Sequence, residues 1–344
     1  MTQLLLPSFF LSMIGIFDIF GIKQSLAINQ IFYVIIGFLA FFVSKKIGRN
    51  FFATNSQLLY WFFIFLLAAT FIIGLEVKGS KRWIDLYFFN FQTSEIFKPF
   101  FILFLADFLI RDYKIVNPIN IFLFSLLYFL LPTLIIFKQP DLGNAAVYFF
   151  IFIVVVLFSD LAKKYILYFC LFLFLALPIG WKFMQGYQKD RIASFLNPKI
   201  DQQGIAYNIT QAIITVGSGK FAGRGLGLGT QSRLYFLPEN HTDFAFSSMI
   251  EQFGFLGGFT VIVLYLIIGT MIVKRLPASY LLRDRTDKKN FLYLVGFLSY
   301  FIFQILVNVG MNLGLFPITG IALPFISFGG SSFVAIMIGM ALIP

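Results

Sequence analysis

The stretch FLPENHTDFAFSSMIEQFG (residues 236–254) passes from charged to apolar within a few positions. It carries Glu239, His241 and Asp243, and the chain then runs apolar as far as Val273. A run of that length suits a helix that crosses a bilayer, which needs about 20 apolar residues. Working outward, the rest of the chain is similar. Of 344 residues, 59% are hydrophobic and 12% charged, with a mean hydropathy of +0.89. Soluble domains are about 45–50% apolar and about 25% charged. A soluble globule cannot hide this much apolar surface, so a bilayer must be the solvent. The 50 phenylalanines read as compositional bias, not as an aromatic code.

Ten apolar segments follow from this reading: about 4–22, 30–44, 57–75, 94–110, 119–137, 142–158, 165–181, 242–273, 290–313 and 322–343. The fold expected is all-α, a polytopic membrane protein forming a single domain over 1–344. The N-terminus lacks a basic region and a small-residue cleavage site, so it reads as the first span and not as a cleaved signal. The single cysteine, Cys170, lies in an apolar run and is expected to be buried. It supports no disulfide.

Orientation follows from Lys and Arg in short loops, which concentrate on the cytoplasmic side. With the N-terminus inside, KKIGRN (45–50), RDYK (111–114), KK (163–164) and KRLPASYLLRDRTDKK (274–289) all face the cytoplasm. KGSKRW, KQPD and the long segment 182–241 face the other way. Both termini are then cytoplasmic, and a chain ending at Pro344 leaves little tail. The net charge of +11 fits topology and lipid headgroups better than nucleic acid. Residues 206–216 have helical spacing, and glycines follow. GSGKFA (217–222) matches G-x-G-x-x-A by letter, but no strand precedes it, and no glycine five residues before Gly219-Lys220 makes a phosphate loop.

Charged groups inside a bilayer cost at least about 2.5–3.5 kcal/mol each, so they mark candidate sites. Glu95 and Lys98 are three apart on one helix face. They either neutralise each other and lock helices, or line a cavity. Asp141 after Pro140 suits a helix N-cap. Trp83 is either an interfacial belt residue or a substrate-facing one. Glu239, His241 and Asp243 leave three options. Zinc wants more His or Cys than one of each, whereas Mg²⁺ or Mn²⁺ on oxygen ligands stays open, and no residue is assigned as a metal ligand. Thr242 or Asp243 could cap the eighth span. A carboxylate at a partly desolvated mouth could act as a general base.

RWIDLYFFNFQTSEIFK (82–98), KQPDLGNA (138–145), GSGKFAGRGLGLGTQSRLYFLPENHTDFAF (217–246) and NVGMNLGLFPITGIALPFISFGGSS (308–332) together resemble the SEDS family of RodA, FtsW and SpoVE, most of all its RodA branch. The match is colinear over the whole chain. The resemblance implies a peptidoglycan glycosyltransferase that polymerises lipid II into glycan strands at the outer face of the bacterial cytoplasmic membrane, for cell elongation. It implies a class B penicillin-binding protein as partner transpeptidase. The family's essential aspartate falls on Asp243, its functional tryptophan on Trp83, and its Glu and Lys on Glu95 and Lys98. Glu239 and His241 would shape the surroundings of Asp243. Exterior Arg82, Arg191, Arg224 and Arg233 are candidates, with Lys98, to steady the pyrophosphate of the substrate. Two positions depart from the family pattern, and both look peripheral: Thr93 stands where Pro is usual, and Gln252 follows Glu251 where a second Glu is usual. Rival readings are a lipid II flippase or transporter, which also uses intramembrane charge pairs, and a non-catalytic scaffold of a cell-wall synthase.

Overall fold

A computed structural model describes residues 2–77, 80–86, 89–110, 117–184, 186–197, 204–276 and 284–344. The chain runs α1 (Thr2–Ile22), α2 (Gln24–Ile47), α3 (Arg49–Thr54), α4 (Ser56–Ile73), β1 (Leu75–Val77), β2 (Ser80–Asp85), β3 (Asn90–Gln92), α5 (Thr93–Leu109), α6 (Pro118–Lys138), α7 (Leu142–Phe158), α8 (Lys164–Phe183), α9 (Gly186–Leu196), α10 (Ile205–Ser218), α11 (Thr230–Arg233), α12 (Ala245–Val273), α13 (Arg285–Asn312) and α14 (Gly330–Ala341). Each of the ten expected segments contains a helix, though two depart from the expected span. Among the described residues six helices, α1, α2, α4, α6, α12 and α13, are long and apolar enough to cross a membrane. The others are shorter or, like α5, carry charge.

α5 is the central post. Every residue from Thr93 to Ala106 is buried, with α4, α7, α13 and α14 packed around it. Around this post the outer helices show lipid-type surfaces, and α8 exposes Leu167, Phe172, Phe174 and Leu175. Cys170 is exposed on the same helix, contrary to expectation. In a bilayer an outward apolar face is as well solvated as an inward one, so apolar context alone does not bury a residue. The chain is not wholly helical either. β1, β2 and β3 form a small antiparallel sheet between α4 and α5. Trp83, expected in a loop, lies on β2 opposite Leu75 and Gln92.

The basic loops gather at one end of the bundle. Arg49 donates to Asn290, Lys288 pairs with Asp160 at 2.6 Å, Lys289 pairs with Asp107, and Arg275 donates to the carbonyl of Pro344. The loop 111–114 and residues 277–283 lie outside the described residues.

α12 departs from the expected single span. Its 29 residues are interrupted at Gly254, with φ +69 and ψ −167. The glycine-rich segment 219–227 fits into the break. Arg224 N–H donates to Glu251 O (2.8 Å) and Gly225 N–H to Gln252 O (3.1 Å) on the first half. Phe255 N–H donates to Lys220 O (2.9 Å) and Leu256 N–H to Phe221 O (3.2 Å) on the second. Backbone groups freed by a helix break must be satisfied inside protein at membrane depth, and this segment does so. Phe255–Val273 then rises about 28 Å at ~1.5 Å per residue, close to the ~30 Å hydrocarbon core. The first half, Ala245–Gln252, is buried throughout.

The break yields a stability prediction. A Cβ at Gly254 would strike the Gly223 nitrogen and the Phe221 oxygen, which are main-chain atoms that cannot swing away. Gly254→Ala is therefore expected to destabilise by about 1–3 kcal/mol. Gly269, lower on the same helix, has nothing near its Cβ position, so Gly269→Ala should be neutral or stabilising by up to about 1 kcal/mol. Thermal unfolding of detergent-solubilised protein compares the two, and equal midpoints would contradict the reading of the break.

The tenth expected span also begins late. Residues 313–329 are irregular, and helix resumes only at Gly330. Pro317 and Pro324 remove helix donors there. The irregular stretch is tolerated because much of it, including Leu323, Phe325 and Ile326, is buried in protein.

Candidate functional site

At the end of the bundle opposite the basic loops, the 239–243 loop is tied to the irregular 320–328 segment. Phe328 N–H donates to His241 O at 2.7 Å, and Ser327 Oγ donates to Thr242 O at 2.6 Å. Ser327 Oγ also accepts from Leu323 N–H at 2.9 Å. Glu239 has φ +52 and turns the chain, with its carbonyl accepting from Thr242 N–H and Phe244 N–H. Its carboxylate accepts from Thr242 Oγ1 at 3.0 Å. His241 packs edge-on to Phe328, with centroids 5.7 Å apart, and its Nδ1 lies 3.0 Å from Asn240 Oδ1.

Asp243 is half-buried. Thr242 does not cap α12. The residue before the helix is Phe244, which offers no side-chain cap, and Thr242 Oγ1 is engaged with Glu239. Instead Asn312 Oδ1 accepts from Ser247 N–H (3.0 Å) and Ser247 Oγ (2.6 Å). The cap comes from a distant helix, so local spacing did not indicate it. Across from the Asp243 carboxylate lies Gly320. A Cβ there would come 3.8 Å from Asp243 Oδ2, and Gly320 sits at φ +73. This position therefore favours a residue that adds no side chain beside the carboxylate.

A second polar cluster stands on the other elements that meet residues 319–321. Gly143, at the start of α7, packs directly on Thr319 and Ile321. Asp141 caps α7, accepting from Asn144 N–H at 3.1 Å, as its place after Pro140 predicts. It also accepts from Gln92 Nε2 at 3.2 Å and faces Arg82 at 3.9 Å. Arg82 donates to Gln139 O at 3.0 Å and to Pro140 O. This joins Trp83's strand to α7. Asn144 Nδ2 reaches Ser94 Oγ at 3.4 Å, one residue before Glu95. Glu95 and Lys98 form a 2.6 Å ion pair with Lys98 fully buried. Lys98 Nζ also lies 5.2 Å from the centre of the Tyr300 ring. The pair faces the bundle interior, not lipid. Glu95 Oε2 has no hydrogen-bond partner.

The candidate arginines are spread out. Arg224 lies on the glycine-rich segment and donates to Ser218 O at the end of α10 (3.3 Å), and Arg233 ends α11 and donates back to Gly227 O (3.0 Å). Arg191 is half-buried on α9, which packs on α10. Among the described residues no three His, Cys, Asp or Glu side chains converge as a metal site.

Residues with no role assigned from the sequence also take part. Glu251 is fully buried and accepts from Gln231 N–H, Ser232 N–H and Ser232 Oγ at 2.6–2.9 Å, anchoring α11. Gln252 donates to Asp18 Oδ1 (2.6 Å) and Asp18 O (2.9 Å), while its own Oε1 accepts from Gly227 N–H (3.0 Å). Ser248 Oγ donates to Asp18 Oδ2 at 2.7 Å. The departure from Glu at 252 is therefore not peripheral, because an amide there can donate to a buried carboxylate as a second carboxylate could not. Asp18 had a visible signal, a lone carboxylate inside an apolar run.

The comparisons agree with this architecture. The family model for FtsW, RodA and SpoVE, described as cell cycle protein, matches residues 4–344. Peptidoglycan glycosyltransferase MrdB of Helicobacter pylori is 35% identical over 341 residues, covering 94% of this chain and 84% of the relative. A chain from a structure on the coordination of polymerization and crosslinking by a peptidoglycan synthase complex aligns with a TM-score of 0.80 at 27% identity, covering 100% and 96%. The rod shape determining protein RodA of Thermus thermophilus aligns with a TM-score of 0.71 at 25% identity, covering 99% and 94%. With a half-broken α12, an interior carboxylate beside it and a family match over nearly its entire length, the chain belongs to the FtsW/RodA/SpoVE family.

Proposed function

We propose that the chain is a peptidoglycan glycosyltransferase that polymerises lipid II at the outer face of the cytoplasmic membrane during cell elongation. The observation that carries the reading is Asp243, held through its carbonyl by Asn308 and Asn312 and through its neighbours by Ser327 and Phe328 at the mouth of a buried helix, with room left beside it at Gly320. The relatives' names support the reaction class.

The acceptor is a sugar 4-hydroxyl and the donor is an anomeric carbon bearing a lipid pyrophosphate. Asp243 takes the hydroxyl proton as the acceptor oxygen bonds to the anomeric carbon. The bond from that carbon to the pyrophosphate oxygen breaks, and the pyrophosphate leaves with the electron pair. Positive charge offsets the leaving group best when it is already in place. Lys98, Arg191, Arg224 and Arg233 are the residues proposed for that task, and Trp83, Glu95, Glu239 and His241 for shaping the substrate's path. A divalent cation would act on the pyrophosphate, as part of the substrate. The partner is a class B penicillin-binding protein, in keeping with the synthase complex among the neighbours. Purified protein given lipid II, alone and with such a partner, should form glycan polymer. Lipid II movement between leaflets without polymer would place the chain among transporters instead.

Residues 1–344 make one membrane domain, with 182–241 outside and both termini inside. The basic loops sharing one end of the bundle support this orientation. Cysteines placed in 45–50 or 284–289 should resist a membrane-impermeant thiol reagent in intact cells, whereas cysteines in 224–233 should react. The reverse pattern would invert the topology.

A further inference from the structure

We infer that Asn308 and Asn312 are positioning residues that fix the main chain of Asp243, an inference that rests on Asp243 being the base. Both amides are fully buried and lie one turn apart on α13. Asn308 Nδ2 donates to Asp243 O at 3.1 Å and to Ile321 O at 2.7 Å. Asn312 Nδ2 donates to the same Asp243 O at 3.1 Å and to Asn308 O at 2.8 Å. A side-chain amide has two N–H donors and a carbonyl has two lone pairs. The Asp243 carbonyl is therefore saturated by this pair.

The arrangement replaces a piece of helix. In an α-helix the carbonyl of residue 243 would accept directly from the N–H of residue 247. Here the Asn312 carboxamide stands between them, with Nδ2 on Asp243 O and Oδ1 on Ser247 N–H. Asp243 is thereby kept out of the helix while remaining in register with it. Asn308 adds the opposite wall. Its one amide joins Asp243 to Ile321, next to the Gly320 that faces the carboxylate. The two asparagines thus set both the origin of the base and the surface it faces, without touching substrate.

Asn308→Asp and Asn312→Asp keep size and keep the Oδ acceptors but lose the donors to Asp243. Misplacing a reacting group by about 1 Å costs on the order of 10²-fold. Steady-state polymerisation of lipid II is expected to show kcat lowered about 100-fold, with KM for lipid II changed less than threefold. A kcat within threefold of the parent, or a loss carried by KM, overturns the inference. Thermal unfolding reports whether each variant folds. If neither does, Asn308→Ser, which keeps one donor, should still lose kcat about tenfold, and an unchanged kcat for it overturns the inference equally. Asp243→Asn measured alongside separates the two levels. Activity in that variant defeats the base itself, whereas inactivity there with full activity in the asparagine variants defeats only the positioning role.

Discussion

Asp243→Asn is expected to leave a folded protein that makes almost no glycan polymer. The amide matches the carboxylate in size and can still hydrogen-bond, but it cannot take a proton from the acceptor hydroxyl. General bases contribute typically about 10²–10⁴-fold, so turnover should fall to near background. Folding should survive, because the bonds from Asn308 and Asn312 run to the main-chain carbonyl of residue 243, which the substitution leaves in place. Association with a partner transpeptidase should survive for the same reason. His241→Gln should cost less, since the ring packs on Phe328 and meets its own neighbour Asn240. The measurement is polymer length and yield from lipid II with equal amounts of folded protein. Near-normal polymer from Asp243→Asn would move the flippase and scaffold readings to the front.

The second large effect concerns Glu95 and Lys98. Lys98→Met leaves the Glu95 carboxylate buried with no cation, and breaking a buried pair from one side costs about 3–5 kcal/mol. The melting point should drop sharply. The double variant Glu95→Leu/Lys98→Met removes both charges together, and replacing a buried pair with apolar side chains is often neutral or stabilising. Stability should return in the double variant, but polymerisation should not. Glu95→Gln is expected to lower activity by misplacing Lys98, with the double change costing activity little more than the worse single one. If the double variant regains both stability and polymerisation, the pair is only a lock between helices and has no part in the reaction.

Local rules accounted for what they govern. The Glu95–Lys98 pair follows from i, i+3 spacing, and the Asp141 cap follows from its position after Pro140. The ten apolar segments follow from the bilayer as solvent. The small sheet escaped notice because β1 and β3 have three residues each, too few for alternation to register. The break in α12 escaped because Glu251, Gln252 and Gly254 are followed at once by a further apolar run, with no proline or polar gap to mark an end. Asn308 and Asn312 were visible only as polar letters in an apolar run. Their use depends on a loop 65 and 69 residues away, and no spacing rule reaches that far. The exposure of Cys170 shows the same limit from the other side, since apolar sequence does not say whether lipid or protein surrounds it.

The tie between Ser327 and Thr242 spans 85 residues, and this sets an order of events during synthesis. At about 5–20 residues per second, the ribosome delivers Ser327 roughly 4–17 s after Thr242. Asn308, Asn312 and Ile321 arrive earlier, but until then the loop bearing Asp243 lacks the ties to Ser327 and Phe328. The nascent chain then has its helices as far as Asn312, but the loop at 241–243 is not yet fastened. A chain cut short before residue 327 has neither the Ser327 nor the Phe328 tie, and with Asp243 as the base it is expected to make no glycan polymer from lipid II.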